Sequence, residues 1–140
     1  MPVEDAPSEN VPRSLKVLLV DDHPAFRMVA ARLLTTLGHE VVHTGVAVEA
    51  EALFRERGDF DVVMMDLLLA DADGALLAQR LADEAPGEIR VLFISGADVG
   101  PPEEQPWLRA RHRRFLAKPF TGAALQAELE RLMGESVRKS

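Results

Sequence analysis

Cysteine is absent from the 140 residues, which removes disulfide frameworks and cysteine-ligated zinc from consideration. The core must come from apolar packing, and a chain of this length can bury roughly 68% of its unfolded surface without such staples. Long apolar runs are missing too, since no stretch of consecutive apolar residues exceeds four. The opening MPVEDAPSEN is acidic and proline-bearing. Neither a transmembrane helix nor a secretory signal fits this pattern, so the expectation is a cytoplasmic chain without membrane contact. Basic residues are the minority, 16 Lys and Arg against 23 Asp and Glu, for a formal charge of -7. That balance works against general affinity for nucleic acid backbones and favours a basic partner or a bound cation. What remains is ordinary globular material, 47% apolar and 28% charged, and the length suits one domain.

Residues 1–14 carry Pro2, Pro7 and Pro12 among polar residues without apolar periodicity, and read as a flexible arm. A single domain is expected over 15–133, with 134–140 as a C-terminal tail. Within the domain, short Val-rich runs at Val17–Val20, Val41–Val42, Val62–Met65, Val91–Ile94 and Phe115–Ala117 suit buried strands. Between them lie helical patterns. After Pro24, the residues Phe26, Val29, Ala30, Leu33, Leu34 and Leu37 recur at three-and-four spacing until Gly38, as in an amphipathic helix with a glycine stop. Val48 to Gly58 predicts a second helix, Leu77 and Leu81 a third before Pro86, and Leu125, Leu129 and Leu132 a last one after Thr121. Alternating strands and helices build a parallel sheet covered on both faces.

In such sheets ligands gather beyond the carboxyl ends of the strands. Here the first run ends in Asp21-Asp22, the third in Asp66, the fourth in Ser95 and the fifth in Lys118-Pro119. If the first and third strands are neighbours, three carboxylates converge, and like charges 4 Å apart repel by about 4 kcal/mol at an effective dielectric of 20. One carboxyl stays protonated, Lys118 compensates, or a hard divalent cation binds, for which an oxygen-only site favours Mg²⁺. Taken singly, each residue also suits a plainer role, and Asp22 or His23 could simply cap the helix opened by Pro24.

With all four strand ends in view, residues from about Leu15 to Leu132 resemble the receiver domain of two-component response regulators, in the CheY-like superfamily. LKVLLVDDHPAFR is similar to the family's first strand, acidic pair and first helix. VVMMD is similar to the third strand with its phospho-acceptor, followed by Asp73-Gly74; LFISG and FLAKPF are similar to the fourth and fifth strands. The resemblance implies a flavodoxin-like doubly wound sheet of five parallel strands in order 2-1-3-4-5. It also implies that Asp66 is phosphorylated by a sensor histidine kinase or a histidine phosphotransfer protein. Asp21, Asp22, Asp66 and the backbone carbonyl of Leu68 would hold Mg²⁺, Lys118 and Ser95 would contact the phosphoryl group, and Gly96 would leave room for it. Ser95 and Phe115 would be the switch pair, and Pro119 would follow a cis peptide bond. The implied protein is not an enzyme beyond Mg²⁺-dependent self-phosphorylation and self-dephosphorylation. Its output would be altered contact with a downstream protein or a second copy of itself, as a stand-alone regulator. An isolated receiver from a hybrid histidine kinase would read the same way.

Several features depart from the family. In the segment GADVGPPEEQPWLRARHRR the prolines allow at most a short helix from about Pro106 to Arg113, so the family's full fourth helix is expected to be shortened, displaced or mobile, and Arg111 and His112 stand where a small Gly-Ala pair is usual. That alteration also fits an interaction module that kept the fold and works without phosphorylation. Ala70 replaces a common proline, with no chemical consequence expected. Leu68 and Ala97 are apolar at places that govern water access, which predicts slow self-dephosphorylation. An aspartyl-nucleophile phosphatase would want an acid where Leu68 stands. Arg109, Arg111, Arg113 and Arg114 with His112 form a basic cluster without interleaved aromatics, read as a solvated face or partner contact rather than a nucleic acid site. His23, His39, His43 and His112 have no metal-ligand spacing and read as surface or capping residues. Trp107 reads as packing for a short helix.

Overall fold

The structure, a computed structural model, describes residues 14–85, 87–96 and 112–139, the last of these without the side chains of 135–139. Residues 1–13 of the expected arm and residues 97–111 of the altered segment that runs from Ala97 to Arg113, Trp107 among them, therefore lie outside the described residues. Among the described residues nine elements follow in order: β1 Lys16–Val20, α1 Pro24–Thr36, β2 Glu40–Thr44, α2 Ala47–Arg57, β3 Val62–Asp66, α3 Gly74–Glu84, β4 Arg90–Ser95, β5 Arg113–Ala117 and α4 Gly122–Lys139. The five strands form one sheet in the order β2-β1-β3-β4-β5, every neighbouring pair parallel. The helices cover both sides, as the alternating pattern requires. Among the described residues no helix is long and apolar enough to cross a membrane.

The strand sequences create two cores, because successive side chains of a strand point to opposite faces. Leu18, Val20, Val63, Met65, Val91 and Phe93 pack with Ala50, Phe54, Leu77 and Leu81 of α2 and α3. The intervening Val17, Leu19, Val62, Met64, Leu92 and Ile94 pack with Ala30 and Leu34 of α1 and with Leu125, Leu129 and Leu132 of α4. Central β3 is buried along its whole length, so its run lacks polar alternation.

The helix ends follow the expected chemistry. His23 is the N-cap of α1 and Pro24 opens it; the His23 Nδ1 accepts from the Phe26 N–H at 3.2 Å. Gly58 ends α2 in the left-handed region, φ 68°, where a Cβ is penalised. His23→Ala removes the cap acceptor and is expected to cost about 0.5 to 1 kcal/mol, read as a small drop in the thermal midpoint.

Two histidines differ from the expected surface role. His39 is 5% exposed. Its Nδ1 accepts from the Leu15 N–H at 3.0 Å, which leaves Nε2 to donate to Gln126 Oε1 at 3.0 Å, tying the start of β1 to α4. His112 is also 5% exposed, and its Nε2 lies 2.5 Å from Glu88 Oε1. Neither partner is near in sequence. Of the basic cluster, Arg114 is paired with Glu128, and Arg113 donates to the Ile89 carbonyl at 3.3 Å.

Candidate functional site

Parallel register brings the polar strand ends to one edge of the sheet. Val20 pairs with Met65, Asp66 with Ile94, and Ser95 with Ala117. The residues that follow Val20 and Ala117, Asp21 and Lys118, therefore emerge beside Asp66. Asp21 is fully buried and Asp66 is 5% exposed. Asp21, Asp22 and Asp66 each place a carboxylate oxygen within 4.8 Å of the others. Lys118 Nζ lies between two of them, 2.9 Å from Asp21 Oδ2 and 3.0 Å from Asp66 Oδ2.

Backbone donors fix the other oxygens. Asp21 Oδ1 accepts from the His23 N–H at 2.8 Å, and Asp66 Oδ1 from the Leu68 N–H at 3.0 Å. Asp22 Oδ2 accepts from the Ala70 N–H. A proline at position 70 would have no N–H to give. Ser95 is half-buried, and its carbonyl accepts from the Lys118 N–H at 2.7 Å. The Lys118-Pro119 bond is cis, as the resemblance implied. Phe115 is stacked on Phe93 with ring centroids 5.3 Å apart. The Leu68 side chain is 64% exposed.

Charge is unbalanced at this edge, with three carboxylates against one ammonium. Burial pushes the Asp66 carboxyl above its usual range, outweighing the Leu68 N–H and Lys118, and the Asp21 charge adds to the rise. Burial pulls Lys118 downward, but its close contacts with the Asp21 and Asp66 carboxylates and their charge outweigh it, so its ammonium is held above the ordinary lysine value. Asp21 Oδ2 is buried and makes no hydrogen bond of good geometry, meeting Lys118 as an ion pair alone. A buried anionic oxygen with spare lone pairs beside two further carboxylates is a donor set suited to a hard divalent cation.

Side chains absent from the sequence-level site also shape it. Arg27 donates through Nη1 to the Asp21 carbonyl at 2.9 Å and through Nε to His43 Nδ1 at 3.2 Å. Phe26 sets its ring 4.3 Å from Lys118 Nζ. Both belong to the first turns of α1, where three-and-four spacing marks Phe26 as core and gives Arg27 no role. Asp73 caps α3 through the Ala75 and Leu76 N–H groups. Gly74 follows because a Cβ there would sit 1.9 Å from the Asp66 carbonyl oxygen.

The response regulator receiver domain family model matches residues 17–130. Over 115 residues the chain is 36% identical to the sensory/regulatory protein RpfC of Xanthomonas campestris, covering 81% of this chain and 16% of that protein. It thus spans about a sixth of that relative's length. It is 29% identical over 121 residues to a chemotaxis protein CheY homolog of Campylobacter jejuni, covering 86% and 93% of the two chains. Among solved structures, the receiver domain of the sensor histidine kinase PA1611 from Pseudomonas aeruginosa has magnesium coordinated in its active site cleft. It matches with a TM-score of 0.71 at 28% identity, over 86% of this chain and 98% of that one. A parallel sheet ending in this acidic edge, and a family match running from the first strand into the last helix, place the chain among the response regulator receiver domains.

Proposed function

We propose that the chain accepts a phosphoryl group on Asp66 from a phosphohistidine of a sensor histidine kinase or a histidine phosphotransfer protein. The modified form then changes its contacts with a downstream protein. The observation that carries this reading is the position of Lys118, within 3.0 Å of Asp66 and 2.9 Å of Asp21, beside a carboxylate trio that has excess negative charge. In the reaction an Asp66 oxygen bonds to phosphorus, the phosphorus–nitrogen bond of the donor breaks, and the leaving imidazole takes a proton from solvent. A carboxylate repels an anionic donor, so charge on the transferring oxygens must be offset. Asp21, Asp22, Asp66 and the Leu68 carbonyl are the groups that would hold Mg²⁺, which supplies part of that neutralisation when bound. Lys118 supplies the rest. The Leu68 N–H fixes the Asp66 rotamer, and Ser95, on the same edge, is the hydroxyl expected to donate to the new phosphoryl group. Phe115, stacked on Phe93, is its expected switch partner, which would repack on phosphorylation.

The test is intact mass after incubation with Mg²⁺ and acetyl phosphate. One added phosphoryl group is expected. Donor turnover without an adduct would point instead to a phosphatase, and no reaction to an interaction module that works without phosphorylation. A receiver within a hybrid kinase would give the first result as well, in keeping with the likeness to a sixth of RpfC.

Leu68 bears on the lifetime of the adduct. Its side chain is exposed two residues beyond Asp66 and cannot orient an attacking water. Leu68→Asn supplies an amide that can, and is expected to speed loss of phosphate about tenfold with little change in stability. The decay of the phosphorylated mass measures this directly, and an unchanged decay rate would remove Leu68 from the account.

A further inference from the structure

The carboxylates are not the whole environment of Lys118. Its Nζ also lies 4.3 Å from the centroid of the Phe26 ring, inside the range for attraction between a cation and an aromatic face. Phe26 is itself propped: Phe120 meets it edge to face, with centroids 5.3 Å apart and planes at 88°. Both rings pack against the core beneath α1 and α4, and Pro119 and Phe120 line an apolar groove of about 280 Å³ with Phe26, Val29 and Leu33. The ring's position is therefore set by packing that is independent of the carboxylates.

We propose that Phe26 is a positioning residue for Lys118, its ring face holding the ammonium at the acidic edge. The inference rests on the reading of Lys118 as the phosphoryl partner and explains how the ammonium stays there. Asp21 and Asp66 attract Lys118 only while their charge is unspent. A divalent cation among the same carboxylates would share that charge and repel the ammonium. The quadrupole of the ring is unaffected by such an event, so Phe26 is a partner whose attraction persists through the change. Lys118 thus stays beside Asp66 when it is needed there. Phe120, edge-on behind Phe26, keeps the ring from turning away.

The experiment separates electrostatic holding from mere packing. Phenylalanine carrying one, two or three ring fluorines is introduced at position 26, since fluorination weakens the face of the ring with little change in shape. Two readouts are taken on the full chain. In NMR spectra, the protons on the Lys118 carbon next to Nζ are expected to be shifted upfield by the ring current in the wild type, and Phe26→Leu is expected to abolish that shift. With acetyl phosphate and Mg²⁺, the phosphorylation rate is expected to fall stepwise with fluorine count, to about fivefold slower for three fluorines. Phe26→Trp, with the stronger ring face, is expected to keep the wild-type rate or exceed it. Absence of the ring-current shift, or a rate insensitive to fluorination while Phe26→Leu alone slows it, would overturn the proposal and leave Phe26 a packing residue. If the wild type takes no phosphoryl group, the proposed function fails, and the ring-current shift still decides whether Phe26 holds Lys118.

Discussion

Asp66→Asn is expected to abolish phosphorylation and at the same time to raise the melting temperature of the metal-free protein. The first effect follows from the loss of the only proposed acceptor oxygen. The second follows from electrostatics. The Asp66 carboxyl is lifted above its ordinary value of 3.8, by burial first, against the opposing pull of the Leu68 N–H and Lys118. Between that ordinary value and the raised one, the folded chain binds a proton that the unfolded chain has released. Stability therefore falls as pH rises through this window, and the full penalty is present at neutral pH. Asparagine removes the charge while its oxygen can still accept from Leu68 or Lys118. Two carboxylates then face one ammonium, and the expected gain is about 1 kcal/mol, or about 4 °C in thermal midpoint for a chain of this size. Mg²⁺ is expected to narrow the difference, because a ligand of the folded state stabilises the protein that binds it better. A midpoint that falls on substitution would show that the Asp66 charge is well compensated rather than costly.

Gly74→Ala is expected to have the largest effect on stability. Ordinarily an alanine in a helix is favoured over glycine by about 1 kcal/mol. At Gly74 the added Cβ would lie 1.9 Å from the Asp66 carbonyl oxygen, 2.9 Å from its carbonyl carbon and 2.9 Å from Leu67 Cα. These are backbone atoms at the end of a buried strand and cannot rotate aside. Overpacking commonly costs 1 to 3 kcal/mol, and a backbone clash belongs at the top of that range, so the expected loss is about 3 kcal/mol. The shift falls on the residue proposed to carry the phosphoryl group, so phosphorylation is expected to slow as well. Gly134→Ala is the matched control. It lies in α4 with nothing among the described residues, beyond its own helical turn, within 4 Å of an added Cβ, and should stabilise slightly. Thermal melts of the two variants give opposite signs if local space governs, and the same sign if helix propensity does.

The parts of this molecule that were legible in its sequence are those where one local pattern has one physical cause. β3 showed as an uninterrupted apolar run ending in Asp66 because both faces of the central strand are covered. β2, an edge strand, showed only Val41 and Val42 of its five residues, since His43 and Thr44 carry polar groups that do not mark a strand. The acidic edge was legible once strand order was assumed, because parallel register leaves the ends of β1, β3, β4 and β5 little choice but to converge. What stayed hidden depends on long-range partners or on backbone groups. His39 meets Gln126, 87 residues away, and spacing gives no hint of that. Ala70 contributes an N–H, invisible in a side-chain reading. Phe26 looked like one more member of an apolar stripe, and its place over Lys118 appears only when α1 and the end of β5 are set side by side.

The central claim is that Asp66, among three neighbouring carboxylates, is the one that becomes an acyl phosphate. Borohydride reduces an aspartyl phosphate to homoserine and leaves free carboxylates intact. The chain is treated with acetyl phosphate and Mg²⁺, reduced, digested and sequenced by mass spectrometry. Homoserine at position 66 alone, and none when Mg²⁺ is withheld, is the predicted result. Homoserine at position 21 or 22, or an equal yield at position 66 without the metal, would contradict the account.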